Sequence, residues 1–210
     1  MLTEHIEHTH TGFPLFSIVS NAVYILAGLL GMIFLDSGMG LSFAFNAFCI
    51  GSIILGATSW YYHATGSMLG RQLDNVGMSS VFGFGAAYYL SIVFPNVWTT
   101  LLAMVVLVLL PVVSTMRLDW RFNRPCLYAD IATMLVCMVV MGLAHIQLTV
   151  LAVIAVIGLF ALAAMFQGGE ITRQEGGVLR SKLHGAWHLA SGIGILFLIA
   201  YPMIYLTLTS

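Results

Sequence analysis

Two histidines four residues apart, His184 and His188, open an apolar run near the end of the chain, and a third, His63, closes an earlier one. Residues at i and i+4 lie one turn above another on a single helix face, so this pair is a bidentate half-site of the kind zinc hydrolases use. A third imidazole from another segment completes a three-nitrogen set that leaves the fourth tetrahedral position for water. Zinc so held lowers the pKa of its water to about 7. Asp74 is the acidic residue placed to orient that water and take its proton. Ser59 precedes His63 by one turn on the same face and can donate a hydrogen bond to a developing oxyanion. The alternative roles are structural: Asp74 as an N-cap, Ser59 bonded back to its own helix, and the histidines as interfacial groups.

The elements that must position these residues are membrane spans. Of 210 residues, 60% are hydrophobic and 7% charged, with a formal net charge of −1. A soluble domain carries about 25% charged residues, so this chain cannot cover a water-facing surface. An ordinary cytosolic enzyme, a disordered chain and a basic nucleic-acid binder are excluded. A spanning helix takes about 20 apolar residues. The apolar runs predict one all-α domain over 1–210, a bundle of seven transmembrane helices at about 15–35, 42–63, 74–94, 98–116, 127–144, 148–165 and 184–206. Strands are excluded because no barrel alternation is present and backbone groups in hydrocarbon must bond within their own segment. The boundary between the fifth and sixth spans rests only on His145 to Gln147.

Charge sets the expected orientation. Arg71, Arg117, Arg121, Arg124, Arg173, Arg180 and Lys182 all fall in loops on the face that carries the N-terminus. The positive-inside rule makes that face cytoplasmic and puts the C-terminus outside. Span two then ends where spans three and seven begin, so Ser59, His63, Asp74, His184 and His188 share one leaflet. Ionisable groups are costly in a membrane, and their default reading is functional. The segment before Leu15 has Glu4 and Glu7 but no basic n-region, so the first span is expected to stay in the mature protein. Cys49, Cys126 and Cys137 imply no disulfide framework.

Other polar residues carry weaker signals. Asp130 reads as a helix cap or a partner of Arg117, Arg121 or Arg124. Asn21, with Ser17 a turn before it, can bond between helices or support the site from behind. His145 falls on the opposite membrane face, and His5, His8 and His10 read as a solvated tail.

The segment Gly56-Ala57-Thr58-Ser59-Trp60-Tyr61-Tyr62-His63-Ala64-Thr65, followed by Gln72-Leu73-Asp74-Asn75-Val76-Gly77-Met78, resembles the alkaline ceramidase family. That family has Gly-x-x-Ser-x-x-x-His-(Ala)-Thr and then Leu-Asp-x-x-x-Met. His184-Gly185-Ala186-Trp187-His188-Leu189-Ala190-Ser191 resembles its His-x-x-Trp-His element. The family belongs to a wider seven-helix hydrolase superfamily that includes adiponectin-type receptors. The resemblance implies zinc on His63, His184 and His188, action of Asp74 and Ser59 on the water and the amide, and cleavage of ceramide to sphingoid base and fatty acid. Eukaryotic members carry an acidic calcium-binding N-terminal motif with Asp-Trp and Cys-Glu elements. Here the tail reads Glu4-His5-Ile6-Glu7-His8-Thr9-His10, and only Glu7 corresponds to one of its acids.

The expected function is therefore zinc-dependent hydrolysis of a membrane-lipid amide by an integral multi-pass protein. Its membrane is the cell (inner) membrane if bacterial and an endomembrane otherwise. The alternative is a receptor or lipid-binding protein with structural zinc. A haem carrier is disfavoured, since two histidines at i, i+4 cannot clamp one haem. A retinal pump is disfavoured because Lys182, the one lysine, precedes span seven.

Overall fold

A computed structural model describes residues 15–35, 40–117, 123–171 and 178–210. Glu4, His5, Glu7, His8, His10, Arg121 and Arg173 lie outside them. The described residues form helices and connecting turns, with no strand. In chain order they are α1 (Leu15–Ser20), α2 (Ala22–Phe34), α3 (Ser42–Thr65), α4 (Met68–Val93), α5 (Val97–Met104), α6 (Leu110–Arg117), α7 (Asn123–Met141), α8 (Ile146–Ile171) and α9 (Val178–Thr209). Helices α1 and α2 are one rod tightened at Asn21, where Asn21 N–H bonds to Ile18 and Tyr24 N–H to Asn21, each three residues back.

Among the described residues, five helices are long and apolar enough to cross a membrane: Leu15–Phe34, Ser42–Thr65, Met68–Val93, Leu143–Phe166 and Lys182–Thr209. The stretches expected as spans four and five are shorter apolar helices, Val97–Val113 and Pro125–Met141. Local chemistry explains both. Pro111 has no N–H to give Leu107, and the chain before it opens into a π turn, Val105–Leu109, between α5 and α6. After Met141 the backbone tightens into a 3₁₀ turn, Leu143–His145, which separates α7 from α8.

The third apolar run also differs from expectation. Its helix begins at Met68 rather than at Asp74. Ser67 is the N-cap, its Oγ accepting the Gly70 N–H at 3.0 Å. Gly66, in the left-handed region at φ +60°, ends α3 and turns the chain into this cap. Asp74 therefore lies in the second turn of α4 and caps nothing.

Helices α1–α2, α3, α4, α7, α8 and α9 pack in a ring, each against the next and α9 back against α1–α2; α5 and α6 lie against α4. Tyr88, Tyr89, Phe48, Met134, Leu198 and Tyr201 fill the middle of the ring. Tyr89 donates to the Leu198 carbonyl at 2.8 Å, satisfying its hydroxyl. Large apolar side chains such as Ile33, Leu102, Leu151 and Ile154 face outward, as a lipid-facing surface requires. Glycines set the helix registers that matter for the site. A Cβ on Gly77 would strike Leu55 and Thr58, one on Gly70 would strike Tyr62, and one on Gly51 would crowd Val81. The α3–α4 pair is thus a close antiparallel hairpin locked by small residues.

Candidate metal centre

That hairpin register carries Ser59 level with Leu73 and Asp74, because Tyr62 meets Gly70 and Leu55 meets Gly77. His63 then lies near the end of α3, one turn beyond Ser59. A second register brings in α9. A Cβ on Gly185 would strike Phe16 and one on Gly192 would strike Val23, so α9 runs parallel to α1–α2 with Ser20 level with His188. The end of α3 and the opening turns of α4 and α9 therefore meet at one end of the bundle.

Three imidazoles converge there. One ligand nitrogen from each of His63, His184 and His188 lies within 4.8 Å of the others. His63 Nε2 and His184 Nε2 are 2.9 Å apart. The ring centroids are 4.5 Å apart for His63–His184 and His184–His188 and 5.1 Å for His63–His188. His188 is fully buried, and its Nε2 has no hydrogen-bond partner. A buried polar atom left unpaired costs about 1–3 kcal/mol. Here it points among two other imidazoles, and together they form a donor set that can hold one metal ion.

Asp74 and Ser59 stand beside this set. Both are buried, Ser59 is hydrogen-bonded to the Asp74 carboxylate, and that carboxylate is in electrostatic contact with His184. An ionised carboxylate only accepts, so Ser59 donates. Its single O–H proton is committed to Asp74. This modifies the expected oxyanion role: while Asp74 is ionised, Ser59 holds a carboxylate rather than facing a substrate oxygen.

The rest of the shell comes from α1, α2 and α9. Ser20 Oγ is 2.9 Å from His188 Nδ1 and 2.9 Å from the Ser17 carbonyl. Tyr24 packs edge-on to His188 with centroids 5.8 Å apart, and its hydroxyl meets Ser191 Oγ at 2.5 Å. Ser191 donates to the Trp187 carbonyl at 2.7 Å, which leaves Tyr24 as the donor in that pair. Trp187 in turn lies against both His184 and His188, with centroids 5.0 and 4.8 Å away. The His188 ring is thus held by the Ser20 hydroxyl and packed against two aromatic rings.

All five expected site residues gather at this end of the bundle. Ser20 and Tyr24 were not among them. Ser20 stands three residues after Ser17, on the same helix face, and that spacing was the available signal. Asn21 bonds within its own helix, Nδ2 to the Ser17 carbonyl at 2.9 Å, rather than between helices, and its Oδ1 is buried without a partner. Asp130 lies in the second turn of α7, so it is not that helix's cap; it is buried, and its Oδ2 has no partner. His145 packs against Tyr205, apart from the cluster. Cys49, Cys126 and Cys137 form no disulfide with one another.

Compared with known proteins, the chain matches no family model and no curated protein sequence.

Proposed function

We propose that this chain is an integral membrane hydrolase of seven spans, with its N-terminus cytoplasmic and its C-terminus outside, that cleaves the amide bond of a lipid of the ceramide class. The reading rests above all on one observation: imidazoles from helices more than a hundred residues apart in sequence converge with an unpaired buried nitrogen among them. The donor set suits zinc. An ion about 2.0–2.1 Å from each imidazole nitrogen in tetrahedral geometry holds neighbouring nitrogens about 3.3 Å apart. The 2.9 Å between His63 and His184 needs only a few tenths of an ångström of opening. Three protein ligands leave one position open, which is the catalytic rather than the structural pattern.

Zinc bound there supplies a Lewis acid and an acidified water at neutral pH. The chain's own groups supply the rest. The Asp74 carboxylate takes a proton from the attacking water and returns it to the leaving amine nitrogen. Ser59 holds that carboxylate in one orientation. The apolar helices around the site admit a lipid laterally and keep bulk water scarce. The substrate class and the roles of Asp74 and Ser59 follow the alkaline ceramidase resemblance; calcium has no place in the proposal.

The test is metal content and turnover on one preparation. Detergent-purified protein should carry near-stoichiometric zinc and release fatty acid from a ceramide, and His63→Ala and His188→Ala should lose both. Zinc without turnover on any lipid amide would favour a receptor-like protein with structural metal. Turnover without zinc would overturn the reading.

A further inference from the structure

We infer that Ser20 is a positioning residue that sets the tautomer of His188 and so turns the lone pair of Nε2 toward the two other imidazoles. The inference rests on the metal reading above but is carried by separate contacts. A neutral imidazole has one N–H and one lone pair, and the hydrogen bond at one nitrogen decides which nitrogen remains for a metal. Ser20 Oγ lies 2.9 Å from His188 Nδ1 and 2.9 Å from the Ser17 carbonyl. A carbonyl oxygen only accepts, so the Ser20 proton goes to Ser17. The Ser20 lone pairs are then what His188 Nδ1 meets, and Nδ1 must be the N–H. The Ser17 backbone is itself in hydrogen-bonding contact with His188. No acceptor engages Nε2, which is buried and unpaired. The contact at Nδ1 therefore selects the tautomer, and Nε2 is left with its lone pair.

The fold builds this contact in. The parallel register of α9 on α1–α2, set where Gly185 meets Phe16 and Gly192 meets Val23, carries Ser20 level with His188. The tightened turn at Asn21 follows directly, and Asn21 Nδ2 also bonds to the Ser17 carbonyl at 2.9 Å. That second bond anchors the carbonyl which orients Ser20.

The experiment has two arms on the full chain in detergent. In the first, zinc affinity is measured by chelator competition for the wild type and Ser20→Ala. Loss of such an outer partner weakens metal binding by about 10–100-fold. The low end, about tenfold, is expected here, because the Ser17 backbone contact with His188 remains. In the second arm, nitrogen NMR of the metal-free, histidine-labelled wild type reads the His188 tautomer directly. An Nδ1–H signal is expected, with an Nε2–H population appearing in Ser20→Ala. Unchanged zinc affinity in a folded Ser20→Ala, or a wild-type His188 in the Nε2–H form, would overturn the inference. Should Ser20→Ala not fold, the wild-type spectrum decides alone. A wild type that binds no zinc would defeat the metal reading, while the tautomer measurement would still judge Ser20.

Discussion

Asp74→Asn separates proton transfer from metal binding. The amide has the shape of the carboxylate and keeps an oxygen to accept from Ser59, so the α3–α4 hairpin and the imidazole cluster should be undisturbed. What is lost is the capacity to take a proton, and positioned acid–base groups contribute about 10²–10⁴ in rate. At 1.36 kcal/mol per tenfold, that is about 3–5 kcal/mol of barrier. Ser59 then allows a sharper test. Its one proton goes to Asp74, and a hydrogen bond to a charged group is worth about 1.5–3 kcal/mol. Ser59→Ala alone should therefore lower turnover about ten- to a hundredfold by loosening the carboxylate. Once Asp74 is Asn there is no carboxylate to hold, and adding Ser59→Ala should cost less than about threefold. An oxyanion donor acting independently would instead cost a further 10²–10³. The assay is release of a fluorescent fatty acid from ceramide in mixed micelles, with zinc quantified in each variant. Wild-type turnover in zinc-loaded Asp74→Asn would refute the proton-transfer role. A full hundredfold loss on adding Ser59→Ala to Asp74→Asn would refute the view that Ser59 works through Asp74.

Gly77→Ala should destabilise the bundle by about 1–3 kcal/mol, because its Cβ falls on Thr58 and the Leu55 backbone. Thermal unfolding in detergent would show a lowered Tm, whereas Gly158→Ala, with open space at the Cβ, should leave it unchanged. In a chain freed of Cys49, Cys126 and Cys137, Arg71→Cys should react with an impermeant thiol reagent only from the cytoplasmic side and Ser210→Cys only from outside; the reverse pattern would invert the proposed topology. A lipid amide embedded in a bilayer should be hydrolysed faster than a water-soluble amide of the same acyl group, and equal rates would argue against lateral entry.

The helical architecture was legible because hydrocarbon leaves the backbone no alternative and the apolar runs are long. The convergence of His63, Asp74, Ser59, His184 and His188 was legible for a different reason: chain direction alternates between spans, so parity alone assigns a depth to each residue. What parity does not provide is rotation and register, and the misses trace to that. Ser20 and Tyr24 reach His188 only because α9 runs parallel to α1–α2 in the one register that seats Phe16 and Val23 against Gly185 and Gly192. That contact involves residues with no chemistry of their own. The third span was expected to open at Asp74 because the apolar run begins beside it, whereas Ser67, in a polar stretch seven residues earlier, holds the cap that starts the helix. The short fourth and fifth apolar helices reflect backbone events, a proline without an N–H and a 3₁₀ turn, that hydropathy does not register.

Depth links the site to the kind of bond it is proposed to cut. At 1.5 Å per residue, His63 lies about 3 Å from the end of α3 and Asp74 about 9 Å from the start of α4. Helix α9 begins ten residues before His188, and its first turns carry Arg180 and Lys182. Cationic side chains prefer the polar boundary of a span. On the proposed topology, the imidazole cluster therefore sits in the outermost part of the cytoplasmic leaflet rather than at the bilayer centre. In an N-acylated lipid the amide joins the headgroup to the chain, so it rides at this same depth. On the proposed reading, water reaches the site from one side and acyl chains from the other. The burial of the three imidazoles agrees with that proposal: His188 is fully buried and hydrogen-bonded to Ser20, while His63 and His184 are half-buried.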